Sequence, residues 1–199
     1  PRPALSRRSF AVLLAAAVLG AAHPAARAQS LTLSPLIQGQ AFSLSVTGAT
    51  TLAAGATNDI TLNNNNNFST VAITTGRNVT LNDSNAIILG TSTVSGTLNV
   101  TTNGAITDSG NLSVSGVATF AAGSANDITL DNNNAFSTVA ITNGNNVSLK
   151  DTGAIELGAS TVSGTLGVTA SGTITDSGDL SVGGTTTLAA GTGNNITLD

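Results

Sequence analysis

The side chains best suited to catalysis in this 199-residue chain are its carboxylates, since it has ten acidic residues, one histidine and no cysteine. Two of them, Asp59 and Asp127, stand at matching places in successive copies of a repeated sequence. Paired acids act on a glycosidic bond only when they lie roughly 5 to 10 Å apart. If one copy makes three coils of a stacked β structure, about 14 Å separates this pair. Asp131 lies closer to Asp127 in sequence, but Asn63 stands at its equivalent position. We therefore expect no catalytic residue, and a β-helical glycan-active enzyme is an alternative reading.

Metal and cofactor chemistry finds equally little support in the sequence. The Gly-Gly-x-Gly-x-Asp pattern of calcium-binding β-helices does not occur, since Gly183-Gly184 is followed by Thr185. The segments Asp108-Ser109-Gly110 and Asp176-Ser177-Gly178 are typical of turns, because Asp and Gly favour turn conformations. We predict no metal-binding and no cofactor-binding residue.

Asparagine is frequent enough to suggest two further kinds of site. The runs at 63–67 and 131–134 occupy the same place in successive copies and could form ladders or a glycan-facing edge. A wide turn is the favoured interpretation, because Asn tolerates left-handed backbone. Asn-x-Ser/Thr triplets, which arise readily in this composition, begin at Asn67, Asn78, Asn82, Asn99, Asn111, Asn146 and Asn195. We do not expect them to carry glycans.

Threonine pairs raise the second alternative, an ice-binding solenoid. Thr91-Ser92-Thr93 and Thr173-Ile174-Thr175 have the spacing of such arrays. Neither is kept in the other copy, where Ala159-Ser160-Thr161 and Ala105-Ile106-Thr107 stand instead. No regular threonine array is therefore predicted.

The elements that would position these residues repeat at a fixed period. Residues 44–111 and 112–179 align without a gap, and a third copy occupies 180–199. A fixed period filled with short β-type segments predicts stacked units. Asp199 falls inside the third copy and the first residue is not Met, so we expect the sequence to continue beyond both ends.

Each copy reads as a series of short strands. Apolar residues alternate with polar ones and the segments are bounded by Gly or Asn, the pattern of strands with one buried face. In the first copy these segments are 44–46, 60–62, 71–73, 79–81, 87–89 and 98–100.

Comparing the copies separates inward from outward positions. Ile88 is replaced by Glu156 between apolar neighbours, so this position should face solvent. The predicted inward pairs are unchanged: Val46/Val114, Ile60/Ile128, Phe68/Phe136, Val71/Val139, Ile73/Ile141, Leu81/Leu149, Leu98/Leu166 and Val100/Val168.

These patterns predict an all-β parallel β-helix, or β-solenoid. With about 20 to 25 residues per coil, each full copy would form about three coils and add roughly 14 Å. A β-sandwich is the main rival, but a sandwich gives no reason for its own sequence to repeat.

Charge and composition limit the partners. Only 8% of residues are charged, and four of the six basic residues lie within the segment 1–28. Beyond it, Arg77 and Lys150 stand against ten acids, a net charge of about −8. We therefore expect no nucleic-acid partner and no attraction to anionic membranes.

The segment 1–28 has the parts of a signal peptide in the expected order. Basic residues precede the apolar stretch 10–19, and Ala26-Arg27-Ala28 fits a signal peptidase, with cleavage before Gln29. Ser6-Arg7-Arg8-Ser9-Phe10 also resembles the twin-arginine signature, so both export routes stay open. The predicted organisation is a signal peptide at 1–28, an N-terminal cap at 29–43, and then the copies. No stable membrane span is expected in the mature part.

The repeats resemble those of filamentous-haemagglutinin-like exoproteins and autotransporter passengers of Gram-negative bacteria. The segments that carry the resemblance are 51–55, 58–62, 68–71, 78–81 and 86–96. The resemblance implies a right-handed parallel β-helix, export through outer-membrane translocation machinery, and a location at the cell surface or outside the cell. Two features of those proteins are missing: residues 29–60 lack Asn-Pro-Asn motifs, and the sequence contains no C-terminal membrane barrel.

Taken together, the sequence predicts a non-catalytic surface protein, an adhesin or the stalk of one. Its partners would be the translocation machinery and unspecified host or surface glycans or proteins.

Overall fold

The computed structural model describes residues 29–30 and 43–199. The predicted signal peptide and residues 31–42 lie outside the described residues. Among those that are described, no helix has the length and apolar character needed to cross a bilayer. The strands of this part are β1 (Gln29–Ser30), β2 (Ser45–Ala53), β3 (Ile60–Thr75), β4 (Val79–Asp83), β5 (Ile87–Leu89), β6 (Ser92–Val94), β7 (Leu98–Thr102), β8 (Ile106–Asp108), β9 (Leu112–Ala121), β10 (Ile128–Asn143), β11 (Val147–Asp151), β12 (Ile155–Leu157), β13 (Ser160–Val162), β14 (Leu166–Ala170), β15 (Ile174–Asp176), β16 (Leu180–Val182), β17 (Thr186–Ala189) and β18 (Ile196–Thr197).

These strands form a parallel β-solenoid of about eight coils. Every pairing among them is parallel, and the partner lies about one coil further along the chain, as Ile88 does for Thr70 and Asn67 for Ser45. The coils build two long sheets. Sheet 1 contains β2, the second half of β3, β5, β8, the start of β10, β11, β14 and β17. Sheet 2 contains the start of β3, β4, β7, the end of β9, the rest of β10, β12, β15 and β18.

The core lies between the two sheets and confirms the predicted inward pairs. Alternate residues of each strand are buried, and their Val, Leu, Ile and Phe side chains form one continuous cluster. Val46, at the start of β2, is only partly buried. Ile88 is 39% exposed, which confirms that its position faces outward.

The prediction of three coils per repeat was wrong, since one repeat makes three and a half. Ile60 in sheet 2 is followed coil by coil by Val79, Leu98 and Ala118. From Ala118 the chain runs on to Ile128, the repeat equivalent of Ile60, which lies in sheet 1. Each repeat therefore adds about 17 Å, and equivalent residues of successive copies lie on opposite sheets.

A short third side closes most coils at one edge, and it changes edge once in every repeat. The segment β6 follows a strand of sheet 1 and precedes one of sheet 2, whereas β13 follows sheet 2 and precedes sheet 1. The inward residues of this third side stack in three groups: Val46 on Phe68; Val94 on Val114 and Phe136; and Val162 on Val182.

Candidate functional site

The most regular outward surface is a column of small residues in the middle of each sheet, all of them polar except Gly167. We call the residues of sheet 2 column 2, and their equivalents in sheet 1 column 1. None of the eight is buried. Column 2 consists of Thr61, Thr80, Asn99 and Thr119, which are paired in order, and column 1 of Thr129, Ser148, Gly167 and Thr187.

A second row of outward residues runs beside each column. Beside column 2 it contains Asn63, Asn82, Thr101 and Ala121, none of which is charged. Beside column 1 the equivalent residues are Asp131, Lys150, Thr169 and Ala189. This row therefore contains one acid and one base where the row beside column 2 has two asparagines. Both surfaces are thus mostly polar, and the formal charges of each sum to zero.

The chemistry that these surfaces offer is hydrogen bonding. Hydroxyl and amide groups recur along the columns at a coil spacing of about 4.8 Å. The three phenylalanines of the described part, Phe68, Phe120 and Phe136, are all buried. The described surface therefore presents no phenylalanine ring for stacking against a ligand.

The predicted candidate acids Asp59 and Asp127 act as hydrogen-bond acceptors between coils. Asp59 accepts from Arg77 at 2.9 and 3.1 Å and from the Asn78 amide at 3.1 Å, and Thr97 N donates to the oxygen of that amide at 3.1 Å. The hydrogen bond from Arg77 is the main reason why the pKa of Asp59 lies below its usual value.

The second copy repeats this ladder without the arginine. Asp127 accepts from Asn145 and Asn146, and Thr165 N donates to the Asn146 side chain. Asp59 directly precedes a strand of sheet 2 and Asp127 one of sheet 1, so the two acids are not brought together. The amide nitrogens of Asn78 and Asn146, which both begin Asn-x-Ser/Thr triplets, are already bonded to these carboxylates.

The interpretation of the asparagine runs as wide turns was wrong. Strands β3 and β10 continue through them, and Asn66 is only 1% exposed. Its amide donates to Leu62 O and Asn82 O at 3.0 Å, and its oxygen accepts from Leu44 N at 2.9 Å. In the second copy Asn134 accepts from Leu112 N in the same way. These side chains link neighbouring coils by hydrogen bonds at the places where the chain passes from one sheet to the other.

Two buried aspartates, which sequence reasoning missed, sit one coil further on. Asp83 is 0% exposed and accepts the Phe68 N–H at 2.9 Å, and Asp151 accepts the Phe136 N–H at 2.6 Å. Phe68 and Phe136 lie on the third side, but the next coil passes from one sheet to the other without a third-side strand. No backbone carbonyl of such a strand is available to these N–H groups, and the carboxylates accept their hydrogen bonds instead. Burial raises the pKa of both Asp83 and Asp151. The sequence did contain a signal for this burial. Asp83 follows the inward residues Val79 and Leu81 at a spacing of two, so the period of the strand places it on the inward side.

The buried charge of Asp83 yields a prediction about pH. Its Oδ2 atom has no hydrogen-bond partner, so we expect Asp83→Asn to be more stable than the wild type at pH 7. A raised native pKa means that the folded protein holds the proton more tightly than the unfolded chain. The stability of the wild type relative to Asp83→Asn should therefore rise as the pH falls through the native pKa, and the advantage of the variant should vanish near pH 4. Urea unfolding of both proteins at pH 7, 5.5 and 4 measures this difference.

A second variant separates charge from hydrogen bonding. Asp83→Leu leaves the buried Phe68 N–H without its acceptor and should cost about 1–3 kcal/mol across this pH range. An advantage of Asp83→Asn that stays constant with pH would contradict the assignment of the effect to the carboxylate.

Buried serines also bond to the backbone of a neighbouring coil, and they lie in Thr91-Ser92-Thr93, one of the segments considered for ice binding, and in its repeat equivalent. Ser92 Oγ donates to Gly90 O at 2.7 Å and accepts from Ile73 N at 3.0 Å, and Ser160 repeats both bonds. The middle residue of Thr91-Ser92-Thr93 thus belongs to the interior.

The remaining predicted positions are placed as follows. Asp108 accepts from Asp131 N, Asn132 N and the Asn134 amide, an arrangement that ties the strand end to the next coil. Within the described ranges, no group of three or more His, Cys, Asp or Glu side chains is arranged to hold a metal ion. Of the signal-peptidase residues, Ala26 and Ala28 lie outside the described residues, and Gln29 begins β1, paired with Thr50.

The coils and their polar ladders define a β-helical repeat protein. The chain belongs to the family of repeats of unknown function (DUF5649), whose model matches residues 11–75, 76–143 and 144–199. The second and third matches begin at 76 and 144, the same offset that separates the copies beginning at 44 and 112. No curated protein and no solved structure matches the chain.

Proposed function

We propose that this chain is an exported, non-catalytic surface protein that acts as an adhesin or as the stalk of one. The observation that carries the proposal is the repetition of one outward polar surface along a continuous solenoid. A solenoid of about eight coils extends roughly 38 Å, and every further repeat would lengthen it without a change of fold. Such a rod supplies reach together with many similar contacts.

The polar side chains support a non-catalytic role by what they do. Asp59, Asp83, Asp127 and Asp151 all accept hydrogen bonds from the same or neighbouring coils. Their carboxylates hold the solenoid together. Many weak contacts on its surface would sum to a useful avidity.

The sequence of the segment 1–28 supports export. In this proposal a signal peptidase cleaves after Ala28, and outer-membrane machinery of the autotransporter or two-partner type carries the chain to the surface. Either the general or the twin-arginine pathway would deliver it across the inner membrane.

Export is tested by expressing the full chain with a C-terminal tag in a Gram-negative host. We expect mass spectrometry of the exported product to show an N-terminus at Gln29. An Ala28→Asp variant should keep the leader attached, since a charged residue replaces the small one at the cleavage site. A product confined to the cytoplasm with residues 1–28 intact would overturn the export step.

Adhesion is tested separately with beads coated with the exported chain. We expect more beads to attach to cultured epithelial cells or to cells of the producing bacterium than beads coated with albumin. Equal attachment of both kinds of bead would overturn the adhesin proposal.

A further inference from the structure

We propose that the solenoid binds neutral polysaccharide on two opposite faces, so that one molecule bridges two polymer chains. The inference rests on the proposed function and names the partner class and the binding surfaces. The surfaces are column 2 and column 1 with the row beside each.

The first argument is charge. Arg77 and Lys150 stand against ten acids beyond the leader, so an anionic polymer is repelled by the molecule as a whole. Column 2 and its neighbouring row contain eight outward residues without a charge. On the opposite sheet the row beside column 1 carries one acid, Asp131, and one base, Lys150, whose formal charges cancel. A neutral polymer can therefore approach column 2 without desolvating a charge, and column 1 with only one acid and one base beside it.

The second argument is periodicity. Threonine and asparagine side chains recur along column 2 at a coil spacing of about 4.8 Å, and threonine and serine do so along column 1 except at Gly167. A pyranose ring has a similar length, so a glycan lying along the solenoid axis presents hydroxyl groups at a comparable interval. Each hydrogen bond to a glycan adds little net free energy, so repetition along the axis supplies the affinity.

The third argument is the half-integral number of coils in a repeat. Thr80 and its equivalent Ser148 lie on different sheets, as do Thr119 and Thr187. The shared core lies between those sheets. Equivalent threonine and serine positions therefore face both ways, with the two copies displaced by about 17 Å along the axis. A partner bound to one face leaves the other free for a second partner.

Binding is measured with the exported full chain on cellulose, chitin, mannan and dextran, with dextran sulfate as the anionic match to dextran. We expect the chain to bind at least one of the neutral polymers and to leave dextran sulfate unbound. Beads coated with the bound polymer should then agglutinate when the chain is added. Failure to bind any of the neutral polymers, or equal binding to dextran and dextran sulfate, overturns the inference.

Matched variants test the two faces. Thr80→Glu with Thr119→Glu alters column 2, and Ser148→Glu with Thr187→Glu makes the equivalent change in column 1. Each pair should keep bead binding but raise the protein concentration needed for agglutination at least tenfold, and the four changes combined should abolish binding.

A control pair leaves both columns intact. Thr93→Glu with Thr161→Glu places the same charges at exposed positions of the third side. This pair should bind and agglutinate like the wild type, and circular dichroism should show the same fold in every variant. Agglutination that survives in either single-column variant at the wild-type concentration overturns two-sided binding.

These measurements also separate this inference from the proposed function. If wild-type beads attach to cells better than albumin beads but the chain binds none of the neutral polymers, adhesion stands and the polysaccharide inference falls. If the wild type binds a neutral polymer but its beads attach to cells no better than albumin beads, the adhesin proposal falls and the binding surfaces stand.

Discussion

Replacing Phe136 by alanine should lower the free energy of unfolding by about 3–5 kcal/mol. Phe136 is 4% exposed, and its ring meets that of Phe120 edge to face, with centroids 6.2 Å apart and planes at 77°. It also pairs with Val114 on the third side. Phe136 is the last residue of its stack, because in the next coils the third side lies at the other edge. Alanine would leave a cavity between coils whose backbones are held by parallel ladders, so the site has little room to collapse.

Urea unfolding followed by circular dichroism measures this loss. Ile88→Ala is the control, because it removes apolar atoms from an exposed position and should change stability by less than about 0.5 kcal/mol. Equal effects of the two substitutions would contradict the placement of Phe136 in the core.

Replacing Gly104 by valine should cost about 3 kcal/mol, the upper end of the usual range for overpacking. A Cβ atom at this bend would lie 2.5 Å from Ala86 N and 2.8 Å from Asn85 C on the preceding coil. Both neighbours are backbone atoms, so no side-chain rotation relieves the contact. The coils must move apart, which strains the hydrogen bonds on either side.

The equivalent bend and an open glycine provide the comparison. Gly172→Val should be as damaging, since its Cβ would lie 2.6 Å from Ala154 N. Gly48→Ala should be almost neutral, because nothing lies within 4 Å of its Cβ position. A thermal unfolding series of the three variants tests the ranking, and a stable Gly104→Val would show that these bends do not pack as described.

The alternation of apolar residues was enough to predict the strands and the inward side chains. Positions such as Leu98 and Val100 are buried as expected, because a strand with one buried face has a period of two in any sheet. Substitution of Ile88 by Glu156 likewise identified an outward position. Local geometry controls both features, so the sequence displays them directly.

The number of coils per repeat could not be predicted in the same way. Strands of sheet 1 and sheet 2 have the same alternation, so nothing in the residues around Ile60 and Ile128 shows that they lie on opposite sides of the core. The positions of the buried polar side chains could not be predicted either, because they too depend on which strands pair. Asn66 and Asp83 fill places where coils with different numbers of strands stack, and those places are known only once the pairing is known.

The relation between repeat and coil also constrains how such a protein can change length. Inserting or deleting one whole repeat would add or remove three and a half coils and leave the ladder of coils unbroken. Everything beyond the junction is then turned by half a revolution about the solenoid axis. Each position in the unit must therefore suit both sheets, and an odd or even number of repeats decides which way any distal region points.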